Sequence, residues 1–455
     1  MTNHWSDGLI DSPSDATPAV LFPGGALTYQ ALRRSVRDWE KRLRETKVGE
    51  RDAVAIQVPP SVTYLSLLLA VLRLGCQAQL LDHRLTLDER RRYLHDLRPA
   101  VTVTTDGRAA VTGFQAVREA RLLTAEQPAP STPHAIVQFS SGSTGDPKVI
   151  GRHSTALEAE LARFAAVPGW VGKGDVLLVL NSLVHSFGLI GAVLHGLSVG
   201  ATLAFAATSL PRDLKVALAE FKPTLVSGVP AQFDLMARLP AGSLGEVRAC
   251  VSGGEVMSAG TYERFSSQHG LVPGQSYGLT EVGVVAMDVT GAESPAVGRV
   301  VDGQEVQIVE GEVVVPVPES PYLTSVGSER VRDGRLHTGD RGTLSDAVLQ
   351  IHGRTDSLIV IGGLKVELSE VEAVLRRAPG VDEILVLPHG DSIEAHVGSH
   401  SGVTAESLYA WCAQHLADYK RPRTIVVGPS LPRTVTGKLL RRPHLLDARN
   451  RDVAP

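Results

Sequence analysis

The sequence predicts an α/β fold: a large N-terminal domain of parallel-rich sheets covered by helices, a β-rich subdomain and a small α+β C-terminal domain. In the first 345 residues, apolar runs such as AVAIQV (53–58) alternate with helical patterns such as YLSLLLAVLRLG (64–75), which is typical of parallel sheets. Near residue 300 the strands become closely spaced, and Glu310-Gly311 stands where a tight hairpin turn is expected. The remaining segment of about 100 residues alternates strands and helices, as a compact α+β domain does.

A chain of 455 residues is too long for one ordinary core, so we expect two domains, 1–345 and 346–455. The polar pair Ser345-Asp346 lies between them and is a candidate hinge. Residues 188–207 contain no Asp, Glu, Lys or Arg. Glycines and a serine divide this stretch into a helix-like half and a strand-like half, which favours a buried helix–strand unit over a membrane span.

Composition narrows the classes of function. The formal net charge of −4 argues against a general nucleic-acid-binding protein. The three cysteines are far apart and odd in number, which indicates reduced thiols and neither a disulfide framework nor a metal pattern. The N-terminal residues lack the pattern of a secretory signal, so we expect a cytoplasmic protein without membrane association.

The stretch QFSSGSTGDPKVIGRHS (138–154) combines glycines, hydroxyl groups and a lysine between two strand patterns. Its glycines allow backbone N–H groups to point inward and attract an anion. The candidate phosphate-binding residues are Ser140, Ser141, Gly142, Ser143, Thr144, Gly145 and Lys148. Taken alone, the loop fits a flexible turn equally well, and its spacing is not that of a Walker loop. We expect Ser154 to cap the helix that follows.

Three further stretches carry candidate chemistry. GQSYGLTEVG (274–283) places the carboxylate of Glu281 beside the hydroxyl of Thr280, and a Mg²⁺ that bridges nucleotide phosphates prefers one or two carboxylates. Asp340 in LHTGD and Arg354 in HGRTD are suited to ribose and phosphate oxygens. Lys438 follows a glycine in the basic segment LPRTVTGKLLRR. Each stretch alone also fits an ordinary loop, a surface ion pair or a solvated lysine.

In this order and spacing, the stretches resemble the motifs of the adenylate-forming superfamily, which comprises acyl- and aryl-CoA ligases, stand-alone adenylation enzymes and luciferases. SSGSTGDPK is similar to its phosphate loop, and SGGE (252–255) and YGLTE (277–281) are similar to its adenine and magnesium motifs. TGD (338–340) resembles its ribose motif. GRTDSLIVIGGLKVELSEVE (353–372) and LPRTVTGK (431–438) resemble the hinge-proximal and catalytic-lysine motifs. The resemblance covers nearly the whole chain.

The resemblance implies that a substrate carboxylate attacks the α-phosphate of ATP, and that a thiol then displaces AMP from the acyl-adenylate. It implies ATP and Mg²⁺ as cofactors and CoA or 4′-phosphopantetheine as acceptor. Lys438 would bridge the carboxylate and the α-phosphate, Glu281 would hold Mg²⁺, Thr280 would touch phosphate and His185 would border the acid. The C-terminal domain would be mobile, because it brings in Lys438 only for the first step.

The other residues carried over from the family fall into three sets. Besides the loop, the implied ATP-binding residues are Gly253, Gly254, Glu255, Gln275, Ser276, Tyr277, Gly278, Asp340, Ile351 and Arg354. The implied wall of the acid pocket consists of His185, Ser227, Gly228, Val229, Ser252, Gly253, Tyr277, Val282 and Gly283. The implied thiol channel contains Gly362 and Gly363.

Several positions bear on the substrate. Val360 stands where family members often have lysine, and Val149 stands where a glycine often follows the loop lysine. PKVIGRHS is closer to the pattern of aryl-acid-activating members than to that of fatty-acyl ones. NSLVHSFGLIGAVLHG (181–196) has no acidic residue to hold an α-ammonium group, which is costly to bury unpaired. We therefore expect a small aryl or short acyl acid.

The leading interpretation is an AMP-forming ligase that joins a small carboxylic acid to the thiol of CoA, or of an acyl or peptidyl carrier protein acting in trans. Two alternatives stay open at this point. One is a stand-alone enzyme that loads a β-amino or other unusual acid in natural-product biosynthesis, and the other is a catalytically inactive homologue that serves as a binding module. The absent Walker spacing disfavours a conventional phosphotransferase. The sequence leaves the exact acid, the acceptor and the oligomeric state open.

Overall fold

The computed structural model describes residues 5–11, 13–85, 87–105, 113–117, 119–140, 148–255, 257–354, 358–361, 364–389, 392–416, 418–433 and 439. Within these ranges, no helix combines the length and the apolar character needed to cross a bilayer.

The strands follow one another in this order: β1 (Pro18–Phe22), β2 (Gly25–Thr28), β3 (Ala53–Gln57), β4 (Gln77–Leu80), β5 (Val101–Thr104), β6 (Arg121–Thr124), β7 (His134–Ser140), β8 (Lys148–His153), β9 (Val176–Val179), β10 (Thr202–Ala204), β11 (Leu225–Gly228), β12 (Ala249–Gly253), β13 (Gly274–Leu279), β14 (Gly283–Asp288), β15 (Gly298–Val300), β16 (Gln307–Val309), β17 (Glu312–Pro316), β18 (Val331–Arg332), β19 (Arg335–Ser345), β20 (Val348–Arg354), β21 (Leu358–Ile361), β22 (Leu364–Glu367), β23 (Glu383–His389), β24 (Ser392–Gly398) and β25 (Thr424–Gly428). The α-helices are α1 (Gly8–Asp11), α2 (Tyr29–Glu45), α3 (Val62–Arg73), α4 (Leu87–Leu97), α5 (Ser154–Ala166), α6 (His195–Ser198), α7 (Pro211–Phe221), α8 (Pro230–Met236), α9 (Ala259–His269), α10 (Leu368–Arg376) and α11 (Ala405–His415). A π-helix covers Phe187–Leu194, and short 3-10 turns cover Ser328–Arg330 and Asp418–Lys420.

The chain divides into two compact units. The first unit consists of Met1–Gln307, Val314–His337 and Leu344–Gln350, and the second consists of Ile308–Val313, Thr338–Thr343 and Ile351–Pro455. The predicted boundary between residues 345 and 346 stays a prediction.

The candidate hinge Ser345-Asp346 lies in the hairpin of β19 and β20. Asp346 and Ala347 form its two-residue turn with φ of 49° and 64°, the positive values that a type I′ turn requires. Arg299 Nη1 donates to the carbonyl of Asp346 over 2.9 Å. A hinge role for this turn remains a prediction.

Two parallel-rich sheets form the framework of the first unit. One has the strand order β6-β5-β3-β4-β7-β8, with parallel pairing from β5 to β7 and antiparallel pairing at both edges. In the other, β1, β10, β9, β11, β12 and β13 are successive parallel neighbours, and β14 and β15 continue antiparallel. Helices cover these sheets because the strands are apolar on both sides. The predicted α/β fold class is confirmed.

Helix starts in the first unit show local capping. The side chain of Thr28 accepts from Ala31 N–H at the start of α2, and that of Ser61 accepts from Tyr64 N–H at the start of α3. Helix α5 begins at Ser154 itself, and the residue in the capping position is His153, which makes no side-chain bond to the helix. The expectation that Ser154 caps α5 is therefore wrong by one residue.

The apolar stretch at 188–207 forms most of the π-helix, then α6 and β10, and its helical and strand residues are almost all buried. The prediction of a buried helix–strand unit is confirmed. The π-helix approaches α5 closely at Gly191, because a Cβ at that position would lie 2.6 Å from Cζ of Phe164.

The second unit has the α+β architecture that the sequence predicts for the C-terminal domain. Strands β23 and β24 pair antiparallel, β25 joins β24 in parallel, and β21 and β22 form a separate hairpin. Helices α10 and α11 contribute Val371 and Leu408 to a core shared with Ile393 of β24. The predicted turn at Glu310-Gly311 also lies in this unit, and its φ values of 51° and 81° confirm a tight hairpin.

Candidate active site

The predicted phosphate loop joins two antiparallel strands of the first unit. Strand β7 ends at Ser140 and β8 begins at Lys148, and these two residues face each other in the ladder. Pairing thus holds the two ends of the loop together. The side chain of Ser140 lies outside the described residues, as do Ser141, Gly142, Ser143, Thr144 and Gly145.

Lys148 extends toward Tyr322, a residue outside the motifs described above. Its Nζ lies 5.8 Å from the centroid of the Tyr322 ring, within the range of a cation–π interaction. The aliphatic part of Lys148 passes Gly327, where a Cβ would lie 2.9 Å from Cδ of the lysine. A glycine with φ of 88° at this position therefore gives Lys148 room beside Tyr322.

Glu281 lies in the turn between β13 and β14 and is 8% exposed. The Tyr322 hydroxyl donates to Oε1 of Glu281 over 2.7 Å, and Nη1 of Arg330 lies 3.7 Å from the same oxygen. Burial and the neighbouring carboxylate hold the pKa of Tyr322 well above its usual range, so the phenol keeps its proton and donates. Lys148, Tyr322 and Glu281 therefore form one connected set.

The predicted adenine-binding residues come from the adjacent strands β12 and β13, where Gly253 faces Ser276 in register. Gln275 is buried, and its side chain accepts from Met257 N–H and donates to the carbonyl of Ala296. Both of these hydrogen bonds join the side-chain amide of Gln275 to the protein's own backbone. Partly or fully exposed positions at the ends of these strands are Gly254, Glu255, Ser276, Tyr277 and Gly278.

The predicted wall of the acid pocket draws on parallel strands β11 and β12. Ser227 faces Val251 in register, so Ser227, Val251 and Gly253 project to one face of the sheet. Gly228 and Ser252, which also face each other, project to the opposite face. The predicted acid-pocket residues on β11 and β12 therefore lie on two opposite faces of the sheet.

Neighbouring side chains support this division. A Cβ on Gly253 would lie 2.5 Å from Cδ1 of Phe187 in the π-helix, whereas one on Gly228 would lie 2.8 Å from Oε1 of Gln232 in α8. Alternate residues of a strand point to opposite faces, so these predicted wall residues lie on two sides of the sheet, and their role in binding the acid stays a prediction. Ser227 and Gly253 face the π-helix, while Gly228 and Ser252 face the side of α8. Among the other predicted members, Val229 lies before α8 and His185 lies before the π-helix. The hairpin of β13 and β14 carries Tyr277, Val282 and Gly283.

The segment that carries His185 is held by β7. Gln138 Nε2 donates to the carbonyl of Val184 over 2.8 Å, and Oε1 of Gln138 accepts from the Ser186 hydroxyl over 2.9 Å. Gln138 is fully buried. The strand that leads into the phosphate loop thus also fixes both neighbours of His185.

His195, which directly follows the π-helix, carries no positive charge near neutral pH. Its Nε2 donates to the carbonyl of Val171 over 3.1 Å, and burial lowers the pKa of His195 to about 4. The imidazole is therefore neutral and serves the packing of the core.

The predicted ribose residues lie in the second unit. Arg354 Nη1 donates to Oδ1 of Asp340 over 2.9 Å, and the hydroxyl of Thr338 accepts from the N–H of Asp340. Ile351 lies on the same strand as Arg354, β20. Predictions for Lys438, Gly362 and Gly363 fall outside the described residues.

The sequence model of AMP-binding enzymes matches residues 12–321, and that of the AMP-binding enzyme C-terminal domain matches residues 370–438. The chain belongs to the AMP-binding enzyme family. It is thus a member of the adenylate-forming superfamily that its motifs resemble, and an AMP-forming acid–thiol ligase.

Some relatives of this AMP-binding enzyme are named for aromatic acids, and another is named for a fatty acid. Feruloyl-CoA synthase of an Amycolatopsis species is 28% identical over 476 residues, which cover 93% of this chain and 94% of that enzyme. The 3,4-dihydroxybenzoate–aryl-carrier protein ligase of Bacillus anthracis is 27% identical over 313 residues, covering 68% and 73%. The crystal structure of an anthranilate CoA ligase with anthranoyl-AMP matches 99% of this chain and 98% of its own, with a TM-score of 0.83 and 22% identity, which shows the shared fold.

Glu281 fits the metal that the AMP-binding enzyme family implies. A Mg²⁺ that bridges nucleotide phosphates takes one or two carboxylates and completes its shell with water and phosphate oxygens. Both contacts of Glu281 use Oε1, and Oε2 has no hydrogen bond to the part of the chain that the structure describes. In that same part, no group of three or more His, Cys, Asp or Glu could hold a metal by itself. Glu281 would thus hold a Mg²⁺ that arrives with ATP and neutralises phosphate charge.

The partners of the predicted residues in this AMP-binding enzyme could not be identified from the sequence motifs. Tyr322 and Arg330 contact Glu281, and Gln138 holds the neighbours of His185. Tyr322 and Arg330 belong to no recognisable motif, and Gln138 begins the quoted stretch 138–154 but precedes its phosphate-loop motif. Only the buried polar character of Gln138 inside an apolar strand pattern could have drawn attention to it.

Asp340→Asn should raise the KM for ATP about tenfold with a smaller change in kcat, because a neutral amide is a weaker acceptor for ribose hydroxyls remote from the reacting phosphate. Initial rates of pyrophosphate release with ATP and with 2′-deoxy- and 3′-deoxy-ATP check this. The wild type should discriminate against at least one deoxynucleotide, and Asp340→Asn should lose that discrimination. Asp418→Asn is the matched control, since Asp418 also pairs with an arginine but is exposed. Unchanged discrimination in Asp340→Asn would refute the ribose role.

Proposed function

We propose that this enzyme activates a small aryl acid that carries no ammonium group, with ATP and Mg²⁺, and transfers the acyl group to the thiol of a 4′-phosphopantetheine arm. The arm is that of CoA or of a carrier protein acting in trans. Short acyl acids are secondary substrates in this proposal.

One observation carries the choice of acid: none of the residues that we assign to the pocket is acidic, so none could pair with a substrate ammonium group. The stretch 181–196 contains no acidic residue, and His195 is neutral and bonded to backbone. The ring of Phe187 lies directly over Gly253, where a side chain would collide with it. An aromatic ring packs favourably on such a surface, whereas an unpaired ammonium group would lose its hydration without compensation.

The chemistry of the two steps follows from the acid–thiol ligase class. In the first step, a carboxylate oxygen of the acid bonds to the α-phosphorus of ATP, and the bond to the β-phosphate oxygen breaks to release pyrophosphate. In the second, the thiol sulfur bonds to the acyl carbon, AMP departs and the thiol proton is lost to solvent or a base. We assign Lys148 and the loop 140–148 to the β- and γ-phosphates, Glu281 to Mg²⁺ and Lys438 to the α-phosphate.

The family resemblance and the full-length relatives support both candidate acceptors. Feruloyl-CoA synthase aligns over 93% of this chain, and a fatty acid–acyl-carrier-protein ligase of Streptomyces coeruleorubidus aligns over 94%, each at 28% identity. Both acceptors present the same pantetheine thiol. The experiment below therefore separates them by supplying each in turn.

Pyrophosphate release across a panel of acids tests the proposal. The panel contains benzoate, mono- and dihydroxybenzoates, anthranilate, ferulate, butyrate, phenylalanine, and β-alanine and β-phenylalanine for the β-amino acid alternative. We expect at least one aryl acid to exceed phenylalanine and the β-amino acids by about 100-fold in kcat/KM, because the pocket leaves an ammonium group unpaired. CoA and phosphopantetheinylated carrier proteins are then added separately, and the thioester is identified by mass spectrometry.

The outcomes separate the alternatives. Equal use of phenylalanine and benzoate contradicts the uncharged pocket. Preference for β-phenylalanine establishes the β-amino acid alternative in its place. Failure of every acid to stimulate pyrophosphate release, in protein that still binds ATP, favours an inactive homologue that serves as a binding module.

A further inference from the structure

A buried ion pair lies beneath the turn that carries Glu281. Arg152 on β8 and Glu160 on α5 are joined by a bond of 2.9 Å between Nη2 and Oε2, and their side chains are 3% and 1% exposed. Removing two charges from water is costly, and their attraction offsets that cost only when the remaining donors and acceptors are also satisfied. The other hydrogen bonds of Arg152 and Glu160 therefore indicate the role of the ion pair.

Both partners bind the backbone of the turn. Arg152 Nη1 donates to the carbonyl of Thr280 over 3.1 Å, and Oε1 of Glu160 accepts from the N–H of Val284 over 3.2 Å. These two bonds enclose Glu281, one on each side along the chain. Each involves a charged group, which makes it stronger than a neutral hydrogen bond.

Gly283 allows this contact. Its φ is 80°, and a Cβ added there would lie 2.2 Å from Cδ of Glu160. The turn can approach the carboxylate of Glu160 only because this residue has no side chain. Arg163, on the same helix as Glu160, adds a longer bond of 3.5 Å from Nη1 to the carbonyl of Val282.

We propose that Arg152 and Glu160 are positioning residues that fix the turn from Thr280 to Val284, and with it Glu281, for the phosphates and Mg²⁺ of ATP. Neither residue touches the substrate in this proposal. The turn cannot shift without breaking a bond to a buried charge, and a site that must be held to within a fraction of an ångström needs such support. This inference rests on the proposed function, which assigns Glu281 to the metal.

The test compares Glu160→Gln and Arg152→Lys with Leu157→Ala. Leu157 lies on the same helix, is fully buried and belongs to the apolar core, so its truncation destabilises α5 without removing a bond to the turn. Affinity for ATP is measured by calorimetry with Mg²⁺ and with EDTA. The Mg²⁺ concentration for half-maximal pyrophosphate release and the thermal midpoint are measured in parallel.

We expect Glu160→Gln and Arg152→Lys to weaken Mg²⁺-ATP binding and raise the Mg²⁺ requirement about tenfold, with a smaller change for ATP in EDTA. Leu157→Ala should lower the thermal midpoint and leave the Mg²⁺ requirement as in the wild type. Wild-type Mg²⁺ dependence in the folded Glu160 and Arg152 variants overturns the proposal, as does an equal shift in Leu157→Ala.

Gly283→Ala tests the same inference if the ion-pair variants do not fold. It leaves both charges in place but pushes the turn away from Glu160, so Mg²⁺-ATP affinity should again fall, and unchanged affinity contradicts the proposal. If the wild type binds Mg²⁺-ATP but releases no pyrophosphate with any acid, the proposed function is contradicted and the positioning role is not. The binding measurements would still report on the positioning role.

Discussion

Glu281→Gln should lower acid-dependent pyrophosphate release by about 100-fold or more at saturating ATP and Mg²⁺, as expected when a charge that organises the reacting phosphates is removed. The glutamine keeps the size of the side chain, and its amide oxygen can still accept from Tyr322. The substitution therefore removes the negative charge and leaves most of the packing in place. Initial rates with the best acid of the panel measure the effect.

The matched control for this prediction is Glu319→Gln. Glu319 is also a carboxylate of the first unit, but its side chain is 63% exposed and pairs with His153. An exposed pair contributes little, so we expect the rate of this variant to stay within about twofold of the wild type. A Glu281→Gln enzyme that retains more than about a tenth of the wild-type rate would contradict the metal role of Glu281.

The surroundings of Glu281 could not be predicted from the sequence. Its main partner, Tyr322, is 41 residues away along the chain, and the contact depends on how the intervening strands fold back. The burial of Glu160 could not be predicted either. Its helix shows an apolar pattern through Leu157 and Phe164, which gives no sign of a buried carboxylate. The carboxylate of Glu160 can be buried because it pairs with Arg152, which lies on the strand that precedes the helix.

The fold could be predicted from the sequence, whereas the side-chain directions of the predicted acid-pocket residues could not. Alternating apolar runs and helices predicted parallel sheets because each strand is buried on both faces, and this required no knowledge of register. The faces of Ser227 and Ser252 depend on the pairing of Ser227 with Val251, which no local pattern encodes. Motifs therefore indicate which strand ends carry the candidate residues, while the direction of each side chain required the sheet.

Lys438→Ala should reduce adenylation by about 100-fold to 1,000-fold, which is typical of removing one group that stabilises transition-state charge. Two anions must approach each other when the carboxylate attacks the α-phosphate, and negative charge accumulates as they do. The family resemblance assigns the bridging cation to Lys438. Pyrophosphate release with the best acid measures this step, and Lys420→Ala, which removes a lysine of the second unit paired with Glu370, is the control.

The second half-reaction makes this prediction specific. Because the resemblance implies that Lys438 withdraws before the thiol arrives, Lys438→Ala supplied with chemically prepared acyl-adenylate should form thioester at a rate near that of the wild type. Loss of both half-reactions would indicate a general defect instead of a missing cation. Retention of full adenylation would redirect the bridging role to Lys148, whose Nζ lies 5.8 Å from the centroid of the Tyr322 ring.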